Sequence, residues 1–107
     1  MSRHRVCRVD ELKPGSGREF VIADRVLAVF HLETGIKAIE GICPHAGGPL
    51  AQGMVRGEVV TCPWHGWQFN VATGAHQLNP RMCVPCFVVS VDGEDVYVEI
   101  PDASAGI

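Results

Sequence analysis

Two short segments of this chain carry residues able to hold metal. Cys43-Pro44-His45 offers one thiolate and one imidazole. Cys62-Pro63-Trp64-His65 offers the same two donors again, with sixteen residues between His45 and Cys62. Thiolate sulfur and imidazole nitrogen are the donors that zinc sites and iron–sulfur centres use. Structural zinc knuckles usually take C-x2-4-C and H-x3-5-H, so that both members of a pair reach one ion. Here each segment mixes the donor types instead. On the residues alone, a Cys2His2 zinc site and an iron–sulfur centre both stay open. Gly47, Gly48 and Gly66 let the backbone turn sharply and approach sulfur closely. Pro44, Pro49 and Pro63 stiffen the same loops.

The flanking residues go further. I-C-P-H-A-G-G-P-L over 42–50 and C-P-W-H-G-W-Q-F over 62–69 resemble the Rieske family of [2Fe–2S] proteins. The resemblance implies one [2Fe–2S] cluster, with Cys43 and Cys62 on one iron and His45 and His65 on the other. It covers most of the chain and is specific over 42–74. It implies an all-β fold: an antiparallel β-sandwich or barrel-like base built from the two chain ends, with a small cluster-binding subdomain of about 42–84 inserted. Residues 1–107 then form a single domain.

Departures from the family pattern are informative. The quinol-oxidising branch carries two further loop cysteines joined in a disulfide. The resemblance places them at positions 48 and 64, which are Gly48 and Trp64 here. That bridge cannot form, which fits a reducing compartment and the ferredoxin or oxygenase branch. High-potential members also carry Ser and Tyr two and four residues after the second histidine. Here those residues are Trp67 and Phe69, and neither offers a hydroxyl to sulfur. Two ferric ions, two sulfides, two thiolates and two neutral imidazoles sum to zero charge, which raises the potential above that of all-thiolate clusters. Without the two hydroxyls it should lie at the low end of the family range of about −150 to +300 mV. Imidazole ligands titrate, so the potential should fall in alkali.

Composition sets the frame. The 107 residues suit one modest core, and 47% apolar content is ordinary for a globular chain. A net charge of −3 argues against nucleic acid and suits a partner with a basic docking patch. No apolar run is long enough to span a membrane, and the basic start M-S-R-H-R has no apolar stretch behind it. The expectation is a cytoplasmic protein without membrane contact. Strands are expected at 5–9, 19–23, 26–32, 36–40, 53–57, 58–61, 67–70, 86–91 and 95–100, from apolar alternation broken by turn residues. Residues 77–85 read as irregular because Pro80 and Pro85 oppose regular pairing. The last residues, D-A-S-A-G-I, read as a frayed tail.

Other candidates carry less. Cys83 and Cys86 form a C-V-P-C motif. A redox or metal role needs a context not seen here, so both, like Cys7, are expected to be small buried thiols. His31 and His76 lack metal-ligand neighbours and are expected to be structural or solvated. Trp64 fits a docking face or a shield over the cluster, and Trp67 either that or core packing. Pro49 and Leu50 are expected to pack over the cluster. No carboxylate pair suggests acid–base catalysis, and no nucleotide-binding glycine loop is present. No catalytic residue is assigned.

Three functions follow. The resemblance implies first a one-electron carrier between an NAD(P)H-dependent flavin reductase and a terminal, ring-hydroxylating oxygenase. Docking would be transient and near His45 and His65. Similar sequences also serve as small subunits of NAD(P)H nitrite reductases, docking on a large reductase subunit. A structural zinc module for protein contacts is the third. The oxygenase and reductase activities themselves are not expected, since a second iron site and nucleotide and flavin motifs are missing.

Overall fold

The computed structural model describes residues 2–43, 47–64, 66–79 and 81–100. The expected frayed tail, along with His45, His65 and Pro80, lies outside the described residues. Among those described, nine strands run in chain order: β1 (Ser2–Arg8), β2 (Gly17–Ile22), β3 (Arg25–Leu32), β4 (Gly35–Glu40), β5 (Met54–Arg56), β6 (Val59–Thr61), β7 (Gln68–Asn70), β8 (Cys86–Asp92) and β9 (Asp95–Ile100). Two 3₁₀ turns, Val9–Glu11 and Leu50–Gln52, complete the regular structure. The all-β expectation holds.

Six strands make one antiparallel sheet in the order β1-β9-β8-β4-β3-β2, and β5-β6-β7 make a second, smaller one. The chain ends therefore build the base, and β4 and β8 frame the insertion between them. The sandwich takes the form of this one sheet curled on itself. Cys7 of β1, Leu27 and Val29 of β3, and Val96 and Val98 of β9 share one core, and the edge strands β1 and β2 approach each other.

Strand β3 explains how the two parts are joined. Its sequence R-V-L-A-V-F-H-L is apolar on both faces, the pattern of a strand covered on both sides. Leu27 and Val29 point into the base core. Ala28, Phe30 and Leu32 point the other way, into a second core shared with Cys43, Leu50, Val60, Cys62, Phe69 and Val84. The base thus supplies part of the packing beneath the cysteine loops.

Local differences from the sequence reading have simple causes. Strand β1 begins at Ser2 because it pairs along β9 as far as Ile100, and Val9 instead opens a 3₁₀ turn. The β2–β3 turn is Ala23-Asp24, one residue earlier than expected, with both residues at positive φ (51° and 63°). Two-residue hairpins favour that geometry because it matches the strand twist, even without glycine.

Candidate metal centre

The two cysteine loops are closed in the same way at their described residues. Both are hairpin tips of equal length. Ile42 pairs with Pro49 across the first, and Thr61 pairs with Gln68 across the second. In the first, the Cys43 N–H donates to the Gly48 carbonyl at 2.9 Å and the Gly47 N–H to the Cys43 carbonyl at 2.8 Å. In the second, the Cys62 N–H donates to the Trp67 carbonyl at 2.7 Å and the Gly66 N–H to the Cys62 carbonyl at 3.0 Å. Each loop needs a glycine four residues after its cysteine, and Gly47 and Gly66 take matching positive φ values of 74° and 76°. Within this common frame His45 stands two residues after its cysteine and His65 three. The equivalence was missed in the sequence, although equal loop lengths, paired Cys-Pro starts and glycines at one offset could have revealed it.

The loops meet at sulfur. Cys43 and Cys62 are both buried in the core beneath the loops. A Cβ built on Gly48 would lie 2.7 Å from Cys62 Sγ and 3.1 Å from Trp64 Cγ. Backbone of the first loop therefore rests directly on the sulfur of the second. Positions 48 and 64 face each other, where the resemblance placed the disulfide of the other branch; here the Trp64 indole lies against bare glycine. Adding a methyl at Gly48 has to move Cys62 Sγ or the indole. Gly48→Ala is expected to lower cluster content at least severalfold and broaden the visible spectrum. Iron and acid-labile sulfide per chain, measured beside the unaltered protein, give the check, and full occupancy would contradict this packing.

Below the second loop lies an aromatic buttress. Phe69 is fully buried and Trp67 partly so. The His76 ring stands edge-to-face with both, at 4.6 Å from Trp67 and 5.2 Å from Phe69. His76 Nδ1 accepts the N–H groups of Leu78 (3.0 Å) and Asn79 (3.2 Å), so the neutral ring carries its proton on Nε2. That buried Nε2 has no hydrogen-bond partner; edge contact with aromatic faces is its compensation. His31 donates from Nδ1 to the Leu12 carbonyl at 3.0 Å in the base. Both histidines are structural, as expected. Leu50 is buried beside Cys43 and Cys62.

The surface near the loops is apolar. Trp64 is 57% exposed, Ile42 44% and Leu78 89%. Leu78 shares a cleft of about 430 Å³ with Gly66, Trp67 and His76. Among the described residues no helix is long and apolar enough to cross a membrane.

The model of the Rieske [2Fe-2S] domain matches residues 2–88. The chain belongs to the Rieske family. Its cofactor is the [2Fe–2S] cluster of that domain. Two buried thiols from paired loops, with a glycine cradle at one sulfur, fit such a group. The chain is 35% identical to ferredoxin CarAc of Metapseudomonas resinovorans over 96 residues, covering 88% of this chain and 90% of that one. Among solved structures it matches the ferredoxin in a complex of reduced oxygenase and oxidised ferredoxin of carbazole 1,9a-dioxygenase. That match has a TM-score of 0.80 at 33% identity and covers 90% of this chain and 91% of that one. A putative NADH-dependent nitrite reductase small subunit from Mycobacterium tuberculosis shares the fold, with a TM-score of 0.85 at 24% identity, covering 94% and 97% of the two chains.

One expectation fails. Cys83 and Cys86 are exposed, not buried. The buried residues of this stretch are Val84 and Phe87, so the apolar run that seemed to enclose the thiols turns its other side chains inward. Cys7 is buried as expected.

Proposed function

We propose that this chain is a one-electron carrier, with its cluster held by Cys43, His45, Cys62 and His65 and no catalytic site of its own. The observation that carries the reading is the pair of similarly closed loops, each presenting one buried cysteine, beside a surface where Ile42, Trp64 and Leu78 are exposed. The cluster supplies reversible uptake of one electron. The protein's own part is to bury the thiolates, exclude water with Leu50 and Phe69, and present Trp64, Ile42 and Leu78 for brief docking. The immediate donor is an NAD(P)H-dependent flavin reductase and the acceptor a terminal, ring-hydroxylating oxygenase, both in the cytoplasm. Support for the acceptor comes from the one-third-identical ferredoxin that is paired with an oxygenase. The nitrite reductase small-subunit role is the second reading, favoured by shared fold alone; stable co-purification with a large subunit would select it.

Potential is the decisive measurement. Trp67 and Phe69 bring no hydroxyl to the sulfurs, so the midpoint at neutral pH is expected near or below about −150 mV. It falls further in alkali as an imidazole ligand loses its proton. A hydrogen bond to a charged acceptor is worth about 1.5–3 kcal/mol. Where the reduced state gains more of this than the oxidised one, Phe69→Tyr raises the midpoint by tens of millivolts, since about 30 mV corresponds to about 0.7 kcal/mol for one electron. Protein-film voltammetry across pH tests both expectations. A midpoint near +300 mV would defeat the low-potential carrier.

A further inference from the structure

Charge is spread unevenly along this chain. Of its 12 acidic residues, Glu58 alone falls within 41–91, the stretch that holds both cysteine loops and the small sheet. Glu58 stands at the β5–β6 turn and accepts from the Thr34 hydroxyl at 3.2 Å. Thr34 lies in the β3–β4 turn, and the chain reaches the first cysteine loop only at the other end of β4. The other charged side chains of 41–91 are Arg56, on β5, and Arg81. Glu40, just before the first loop, is engaged by Arg25 at 3.4 Å. The net charge of −3 therefore belongs to the base, and it misdirects the expectation of a basic partner.

Arg81 lies beside the second cysteine loop. The His76 N–H donates to the Met82 carbonyl at 2.8 Å, so the chain doubles back on itself between them. Leu78, Asn79 and Arg81 are all exposed here, and the Arg81 N–H donates to Asn79 Oδ1 at 3.3 Å. The cleft of about 430 Å³ is lined from this segment by Leu78, Asn79 and Met82, and from the cysteine loop by Gly66 and Trp67. Gly66 directly follows His65. Arg81 thus stands between two residues of an uncharged cleft. No carboxylate among the described residues pairs with it, whereas Arg5, Arg8 and Arg25 are each held by one.

We propose that the redox partner docks here through an apolar surface rimmed by carboxylates, with an apolar group in the cleft and a carboxylate against Arg81. The proposal rests on the carrier reading and names the chemistry of the partner. A basic patch would find no acidic side chain anywhere in 59–91 and would be set against Arg81, and like charges across an interface suppress a wrong partner. The carboxylates of the base act at longer range. Their pull is screened over a Debye length of about 8 Å at physiological salt, in a molecule whose longest extent is 36 Å. Arg81 therefore sets the charge that a docked partner meets. In the transfer itself one electron leaves the reduced carrier, the acceptor gains it, and no bond is made or broken.

The test uses the oxidised, cluster-loaded protein and two oxidised probes, the acidic soluble domain of cytochrome b5 and the basic cytochrome c. Each isotope-labelled cytochrome is titrated with the protein at physiological salt, and Kd is read from the cytochrome's amide shifts, so that no electron transfer enters. Cytochrome b5 is expected to bind more tightly. Arg81→Glu should weaken that complex at least about threefold and tighten the one with cytochrome c, as a reversed rim charge does. Arg56→Glu makes the same change in net charge on β5 and should move neither Kd by more than about 1.5-fold, because screening confines the effect. Leu78→Gln alters a side chain that is 89% exposed, so the fold is kept; it should weaken the cytochrome b5 complex and leave its salt dependence unchanged. Tighter binding of cytochrome c, no measurable binding of cytochrome b5, no effect of Leu78→Gln, or equal effects of Arg81→Glu and Arg56→Glu would each overturn the proposal. Stopped-flow oxidation of the reduced protein separates the two readings. If it reduces either cytochrome while Arg81→Glu leaves both Kd values unmoved, the partner assignment falls and the carrier reading stands. If it reduces neither, both fall.

Discussion

Alanine at His45 or at His65 is expected to leave the purified protein nearly without cluster. Each loop holds its cysteine through the same pair of backbone hydrogen bonds, so the cysteines stay placed when a histidine is removed. Under the proposed assignment, what is lost is one of the two nitrogen donors to the cluster. Changing only an outer-shell partner of a metal ligand already costs about 10–100-fold in affinity; losing a ligand should cost at least as much. Iron and sulfide content of each variant, with visible and paramagnetic spectra, make the measurement. His31→Gln serves as the control, because His31 bonds the Leu12 carbonyl in the base, and it should keep its cluster. Full occupancy with unchanged spectra in both His45→Ala and His65→Ala would sink the ligand assignment. A zinc module would instead yield colourless protein without sulfide from the unaltered chain.

Gly74→Ala should be the most damaging glycine replacement outside the ligand loops. Two costs coincide there. Gly74 sits at φ 80°, where a side chain is strained by about 1–2 kcal/mol. A Cβ at this site would also lie 2.2 Å from the Val84 carbonyl oxygen, and overpacking costs about 1–3 kcal/mol more. Two comparisons separate the costs. Gly53 has an ordinary φ of −72°, but its Cβ would meet the Thr61 carbonyl at 2.2 Å. Gly93 has φ 64° and nothing within 4 Å. The expected order of damage is Gly74→Ala first, Gly53→Ala second and Gly93→Ala last. A domain of this size shifts its melting midpoint by about 4–8 °C per kcal/mol, so thermal unfolding of the three variants resolves the order. Equal effects at Gly74 and Gly93 would show that Val84 yields to the methyl and that only backbone strain matters.

Much of this molecule was legible because its chemistry is local. The Cys-Pro-His and Cys-Pro-Trp-His segments announce metal from residue types alone, and the strands follow from alternation between turn residues. What escaped depends on pairing across the chain. The equivalence of the loops needs the partners of Cys43 and Cys62, which are carbonyls five residues on. The value of Gly48 lies in its nearness to a sulfur in the other loop, which no local pattern encodes. Cys83 and Cys86 were misread because apolar neighbours suggest burial. Pro85 and Cys86 are both exposed, against strict alternation, where the chain leaves the Cys83 bridge with Ala75 and joins β4 at Ile39. The one-residue shift at Ala23-Asp24 is a matter of twist, to which composition is nearly blind.

Strand β3 has a bearing on how the molecule comes apart. Its odd and even side chains belong to different cores, so neither core can melt without stripping one side of the same strand. Amide protons along residues 27–32 should then exchange only through global opening, at the slowest rates in the chain. Loss of the cofactor would be felt at the far end of the base, in the exchange of β9, and a protein that has shed its iron should unfold in one step and not as two halves.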